Sequence, residues 1–148
     1  MKLALSLVLL WVSAWCTSGE KERVITYEGQ EVNTTYDVPS GFTGTYKGNK
    51  SGYLMLNEDG TGLYKYDIFG FASKDCKNEP IQLEWGFLLN KEGGVVKFDR
   101  EYGYSYPILF KSTGQTSFQG CRESVLLDFL LEYKDGSLGV SSSDNWKK

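Results

Sequence analysis

The chain has 148 residues, 41% apolar and 24% charged. That is the balance of one globular domain rather than of a disordered or fibrous chain. It contains no histidine, which excludes histidine-activated nucleophiles, histidine-ligated zinc and histidine pH switching. Sixteen basic residues against nineteen acidic ones leave a net charge of −3, without the basic excess that nucleic-acid binding needs.

At the N-terminus, Lys2 precedes an apolar run over 3–14 that only Ser6 and Ser13 interrupt. Cys16, Thr17, Ser18 and Gly19 follow, then the charged string Glu20-Lys21-Glu22-Arg23. This is the layout of a secretory signal, so residues 1–18 are read as a signal peptide and the mature chain as secreted. The run is too short to cross a hydrocarbon core of about 30 Å, and no membrane span is expected. Lipid anchoring through Cys16 is the alternative, although Trp15 is larger than the residue that usually precedes a lipidated cysteine.

With Cys16 removed or capped by lipid, Cys76 and Cys121 remain. Two cysteines in an exported chain most simply form one disulfide, and closing the chain between them is worth about 4 kcal/mol where geometry permits. No CxxC spacing or mixed ligand cluster suggests a metal, and no cofactor is expected. Asn33-Thr34-Thr35 and Asn49-Lys50-Ser51 fit the N-glycosylation acceptor pattern, which makes the chain a glycoprotein if its host is eukaryotic.

Residues 19–40 are polar apart from Val24-Ile25 and the stretch 36–38. They read as an N-terminal arm with room for one short strand over 24–27. Pro39-Ser40-Gly41 is a turn signal that opens the domain proper, residues 41–148. From there strand-like runs alternate with turns. The first covers 42–47. Runs over 53–57 and 62–68 flank Glu58-Asp59-Gly60-Thr61, a hairpin signal. In the second of these arms Tyr64, Tyr66 and Ile68 share a face. Residues 81–89 show the clearest alternation, with Ile81, Leu83, Trp85, Phe87 and Leu89 on one face and Gln82, Glu84 and Gly86 on the other. The string 90–94 turns the chain and 95–99 returns. Tyr102, Tyr104 and Tyr106 then alternate ahead of Ile108 and Phe110.

The stretch 124–133 fits two periods. As a strand it puts Val125, Leu127, Phe129, Leu131 and Tyr133 on one face; as a helix it groups Val125, Leu126, Phe129, Leu130 and Tyr133. The Lys134-Asp135-Gly136-Ser137 turn that follows favours a strand. A last strand covers 138–141. About eight strands in hairpin order, with no βαβ pattern, predict an all-β fold: an up-and-down antiparallel meander closing into a small barrel.

Phe42-Thr-Gly-Thr-Tyr46 resembles the Gly-x-Trp opening of lipocalins, fatty-acid-binding proteins and avidins, with Tyr46 where the family has tryptophan. The string 52–64 is similar to the hairpin of small lipocalin-like secreted domains, and Arg122 is the counterpart of a late family arginine. The family's central Thr-Asp-Tyr motif has no counterpart here. The resemblance implies a lipocalin-like barrel that binds a small apolar or aromatic ligand in its mouth.

Aromatic residues make up 15% of the chain. Tyr46, Tyr64, Tyr66, Trp85, Phe87, Phe98, Tyr102, Tyr104 and Tyr106 are the candidate ligand-binding set, with Tyr53 beside them. Large flat side chains line pockets, and phenol or indole groups orient what enters. The same rings also suit a filled core and cross-strand pairs. Burying a tyrosine is costly unless its hydroxyl finds a partner, which favours a wet or ligand-bearing surface for some of them. Tyrosine interleaved with glycine and serine over 101–107 is, alternatively, the composition of an adaptable surface that grips a protein or a glycan. Glu84, Asp99 and Glu101 are the carboxylates considered for acid–base work; they read as turn and outer-face charges, and no enzymatic activity is expected.

Overall fold

The computed structural model describes residues 19–48, 52–65, 80–114, 124–141 and 146–148. The segment 1–18, Asn49, Tyr66, Ile68, Cys76, Cys121 and Arg122 lie outside the described residues. Within them, ten strands form one antiparallel sheet: β1 (Glu22–Tyr27), β2 (Gln30–Thr35), β3 (Gly44–Lys47), β4 (Tyr53–Leu56), β5 (Thr61–Lys65), β6 (Ile81–Leu88), β7 (Phe98–Arg100), β8 (Gly103–Ser112), β9 (Val125–Tyr133) and β10 (Leu138–Val140). A single 3-10 turn, Ser40–Phe42, leads into β3. The hydrogen-bonded order β3-β4-β5-β6-β8-β9-β10 is the expected meander, curled into a nearly closed barrel.

Three hairpins are built alike. In each, a residue's N–H donates to the carbonyl four places on, and its own carbonyl accepts from the glycine between. The pairs are Asn57 with Thr61 and Gly60, Asn90 with Gly94 and Gly93, and Tyr133 with Ser137 and Gly136. The glycines sit at φ 79°, 81° and 82°, the left-handed conformation that a three-residue hairpin loop requires. Two of the turns add a carboxylate. Asp59 accepts from Thr61 N and Oγ1 at 2.9 and 2.6 Å, and Asp135 accepts from Ser137 N and Oγ at the same two distances.

The long strands β6 and β8 each outlast a neighbour. β6 pairs with β5 through Ile81–Glu84 and with β2 at Phe87 and Leu88. β8 pairs with β6 through Ile108–Ser112 and with β7 through Gly103–Ser105. The return strand expected over 95–99 is therefore divided. Val95 bridges Leu89, and β7 goes to β8 instead. Pairing along β6 ends there because β8 already occupies its edge from Phe87 down, opposite Ile108.

The expected polar arm contains a hairpin whose first strand, β1, covers the run expected over 24–27. Its second strand, β2, carries one aliphatic residue, Val32, and buries Thr34 and Thr35 instead. The hairpin docks because β6 offers it a gap. A Cβ on Gly86 would lie 2.3 Å from Thr34 Oγ1 and 2.6 Å from Thr34 Cβ. Arg23, the cross-strand partner of Thr34, locks the same end of the hairpin. Its Nη1 donates to Gly60 O at 3.0 Å, its guanidinium stands 4.4 Å from the Tyr36 ring centroid, and Glu84 lies 3.8 Å away.

Residues 124–133 contain the strand β9, but the buried face is the opposite of the expected one: Leu126, Asp128 and Leu130 point inward. The register with β8 decides this, since Leu126 faces Phe110 and Asp128 faces Ile108. Apolar residues on both faces hid the choice. Strands β3 and β10 do not pair with each other. Residues 146–148 lie between them, with reciprocal hydrogen bonds between Lys47 and Lys147 and a bond from Val140 N to Trp146 O. Trp146 is fully buried, 5.4 Å from the Tyr64 ring.

The far ends of β6, β8 and β9 are tied together by backbone hydrogen bonds. Thr113 N donates to Gln82 O at 2.9 Å and Ser112 N to Ser124 O at 2.8 Å. Asn33 is exposed on β2.

Gly86→Ala is expected to destabilise the fold by about 1–3 kcal/mol through overpacking, measured by urea unfolding. The double variant with Thr34→Gly should lose less than the two single losses combined. Acid adds a second expectation. The hydrogen bonds from Thr61 and Ser137 hold the Asp59 and Asp135 carboxyls below their ordinary value of 3.8. The unfolded chain then takes up protons first as pH falls. The stabilisation is complete above 3.8 and is lost below it, as pH approaches the folded values. Asp59→Asn with Asp135→Asn should flatten that decline.

Candidate functional site

The candidate aromatic residues divide into two groups. Tyr46, Tyr64, Trp85 and Phe87 are buried in a single core with Leu54, Leu56, Ile81, Leu83, Ile108, Phe110 and Trp146. Their rings touch one another: Trp85 meets Phe87 at 5.8 Å and 86°, and Tyr64 meets Phe110 at 6.1 Å. These are the edge-on and tilted contacts that aromatic quadrupoles favour. The polar handles are satisfied locally. Tyr46 Oη donates to Phe42 O at 2.5 Å, and Trp85 Nε1 donates to Thr61 O at 2.9 Å. Burial holds the Tyr46 phenol far above its ordinary range, so it stays a donor. Among the described residues no buried side-chain polar atom lacks a partner. The cost that argued against tyrosine in a core is met at Tyr46 by a backbone carbonyl.

Phe98, Tyr102 and Tyr104 form the second group. They are 44%, 40% and 37% exposed, and together with Val24 they are the exposed large apolar residues of the described chain. All three belong to the β7–β8 hairpin or its turn, at the end of the barrel from which β6 leaves and β8 enters. Tyr106 connects the groups. Its ring lies 6.2 Å from Phe87, 5.2 Å from Phe42 and 6.5 Å from Tyr104. Its hydroxyl donates to Glu132 Oε2 at 2.6 Å. Desolvation, then this bond and the negative charge of Glu132, raise the Tyr106 phenol well above its ordinary range.

The expected alternation of Tyr102, Tyr104 and Tyr106 fails at its first member. Gly103 has φ 145°, and a Cβ there would lie 2.0 Å from Glu132 O. The chain turns at this glycine, and Tyr102 packs its ring 5.7 Å from Tyr133. Tyr133 pairs with Gly103, so it lies on the face opposite Tyr104, which pairs with Glu132. The exposed rings therefore occupy both faces of one ribbon. Cations stand over several rings at this end: Lys97 is 4.5 Å from the Tyr104 centroid, Arg100 is 5.4 Å from Phe98, and Lys147 is 5.6 Å from Tyr133. Arg100 Nε also donates to the buried Ser105 Oγ at 3.0 Å.

The candidate acid–base carboxylates do not converge. Glu84 faces Arg23, whereas Asp99 and Glu101 are exposed on β7 and the turn after it. The buried acid is one that strand alternation would have assigned to the outside. Asp128 is 2% exposed, and its Oδ1 accepts from Phe129 N at 2.7 Å. Lys97 and Glu132 carry no sequence signal of a site, and Phe42 enters the sequence reading only as the start of the Phe42–Tyr46 motif. Each becomes visible only through register or through the turn that brings it beside a tyrosine. Among the described residues, no helix is long and apolar enough to cross a membrane.

No protein-family model, no curated protein and no solved structure matches the chain.

The two aromatic groups should separate in mutants. Trp85→Ala is expected to cost about 3–5 kcal/mol. Tyr104→Ser should change stability by roughly 0.5 kcal/mol or less, as an exposed side chain does. Thermal and denaturant unfolding of both variants measure the difference.

Proposed function

We propose that the chain is a secreted, non-enzymatic recognition module that binds a partner protein through the aromatic ribbon of β7 and β8. The observation that carries this reading is the gathering of Phe98, Tyr102 and Tyr104, all exposed, in one hairpin. An exposed cluster of large rings costs solvation, and such clusters mark contact surfaces. The composition of 97–106 supports a protein partner. Tyrosine and arginine supply most hot-spot energy in protein interfaces, and Gly103 and Ser105 belong to the mixture that adaptable paratopes use. The packing of Tyr46, Tyr64, Trp85, Phe87 and Trp146 supports a filled interior, because a ligand among these rings would have to displace them. Secretion rests on the signal-like segment 1–18, and the disulfide on Cys76 and Cys121.

A second reading, a small apolar or aromatic ligand, draws on the run of rings from Phe87 through Phe42 and Tyr106 to Tyr104, which leads from core to solvent. A ligand there would lie at the mouth and bury its surface against Tyr104 and Tyr106.

Photo-crosslinking tests the first reading. A photoreactive residue at 98, 102 or 104 should capture one and the same protein from the host's secreted fraction, whereas one at the exposed Thr45 should not. Tyr102→Ser and Tyr104→Ser should lose that capture with stability retained. If capture survives both substitutions, the contact surface lies elsewhere. An apolar dye that shifts Trp85 emission, in a protein whose shift is abolished by Trp85→Phe, would put the ligand reading in front. Binding to immobilised glycans that depends on Tyr104 would replace the protein partner by a carbohydrate.

A further inference from the structure

The ring of Tyr104 has a charged environment of a particular kind. Asp99 pairs with it across β7 and Glu132 pairs with it across β9, so both acids share its face. The Lys97 ammonium stands 4.5 Å from its centroid, close enough for a cation–π contact. Among the described residues the ion pairs are Lys21–Asp37 and Arg23–Glu84. Lys97 therefore lies on the ring without closing on a carboxylate, and two acids share the face of the ring that one ammonium covers. Tyr106 extends the aromatic surface 6.5 Å away and anchors Glu132 through its hydroxyl at 2.6 Å. Arg100, the other cation of this hairpin, is held elsewhere by Ser105 Oγ and the Phe98 ring.

We propose that the Tyr104 face is a binding site for an alkylammonium group, a lysine-type side chain presented by the partner, and that Lys97 is its internal occupant. An aromatic face attracts a cation through its quadrupole, and the two flanking carboxylates discriminate the cation from a neutral chain of equal size. Lys97 satisfies the site in the free protein and keeps the exposed ring partly covered. A partner's ammonium displaces it, and the released Lys97 is free to pair with an acid at the interface rim. The proposal rests on the recognition-surface reading above and specifies what that surface selects.

The test uses Nα-acetyl-lysine methylamide as probe and Nα-acetyl-norleucine methylamide as its neutral counterpart, with the Tyr104 ring resonances followed by NMR. The lysine probe should shift the Tyr104 signals at millimolar concentration, and the norleucine probe should not. Lys97→Met should tighten lysine binding by about two- to five-fold, the value of one exposed cation–π contact. Asp99→Asn should weaken it, and Tyr104→Leu, followed through the neighbouring Tyr106 ring resonances, should abolish it; both substituted positions are exposed, and circular dichroism checks folding. Equal shifts from both probes would overturn the site, as would no gain in the Lys97→Met protein. If partner crosslinking from position 104 persists while the lysine probe fails, the cation site falls and the recognition surface stands. If crosslinking fails while the lysine probe binds, the cation site stands without a protein partner.

Discussion

Trp85-Gly86-Phe87 is the point on which the rest of the structure depends. One strand face carries two large rings, and the other carries no side chain at all. The rings fill the barrel interior from β6, in contact with Tyr36 on one side and Phe42 and Tyr106 on the other. The bare outer face of Gly86 admits Thr34, so the N-terminal hairpin joins the sheet along the part of β6 that β5 leaves unpaired. Ile25 and Leu109 are fully buried without belonging to the core around Trp85. Register places Leu109 opposite Gly86, on that outer face. A single glycine thus gives the barrel wall a second packed side.

Filling the interior decides what kind of chemistry the molecule can display. Apolar burial stabilises the core, Tyr46 and Trp85 donate to backbone carbonyls, and among the described residues no buried side-chain polar atom lacks a partner. Groups with unused capacity sit at the end of β8, where the sheet runs past β6 and becomes the ribbon of β7, β8 and β9. There the rings meet cations on one or other face, and acids are spaced by strand register rather than by salt bridging.

Much of this was legible in the chain. The alternation over 81–89 assigned β6 and both of its faces, and the Asp-Gly pairs located two hairpin turns, because those signals are local. What escaped was set by partners distant in sequence. The strand β2 buries threonines and has little apolar pattern, so only the gap at Gly86 explains it. In β9 leucines occupy both faces, and the inward side is chosen by the register with β8, which puts Asp128 inside. The abundance of aromatic residues is plain in the sequence. Their division into buried and exposed sets follows from where each strand runs out, and a glycine at φ 145° turned Tyr102 away from Tyr104. Lys97 carried no sequence signal, since its relation to Tyr104 is made by a turn and a ring.

The tripeptide between β3 and β10 has a temporal consequence. Trp146 follows every other core residue in the chain, yet its indole lies among rings contributed by much earlier strands. During synthesis, strands β3 to β10 leave the ribosome before it does. Until then the two seam edges face each other without a ladder, and the cavity reserved for the indole is open to water. Vectorial folding can therefore assemble the meander hairpin by hairpin, but it completes the barrel in one late step. A chaperone that holds the unsealed chain would have to let go only after that tryptophan has emerged.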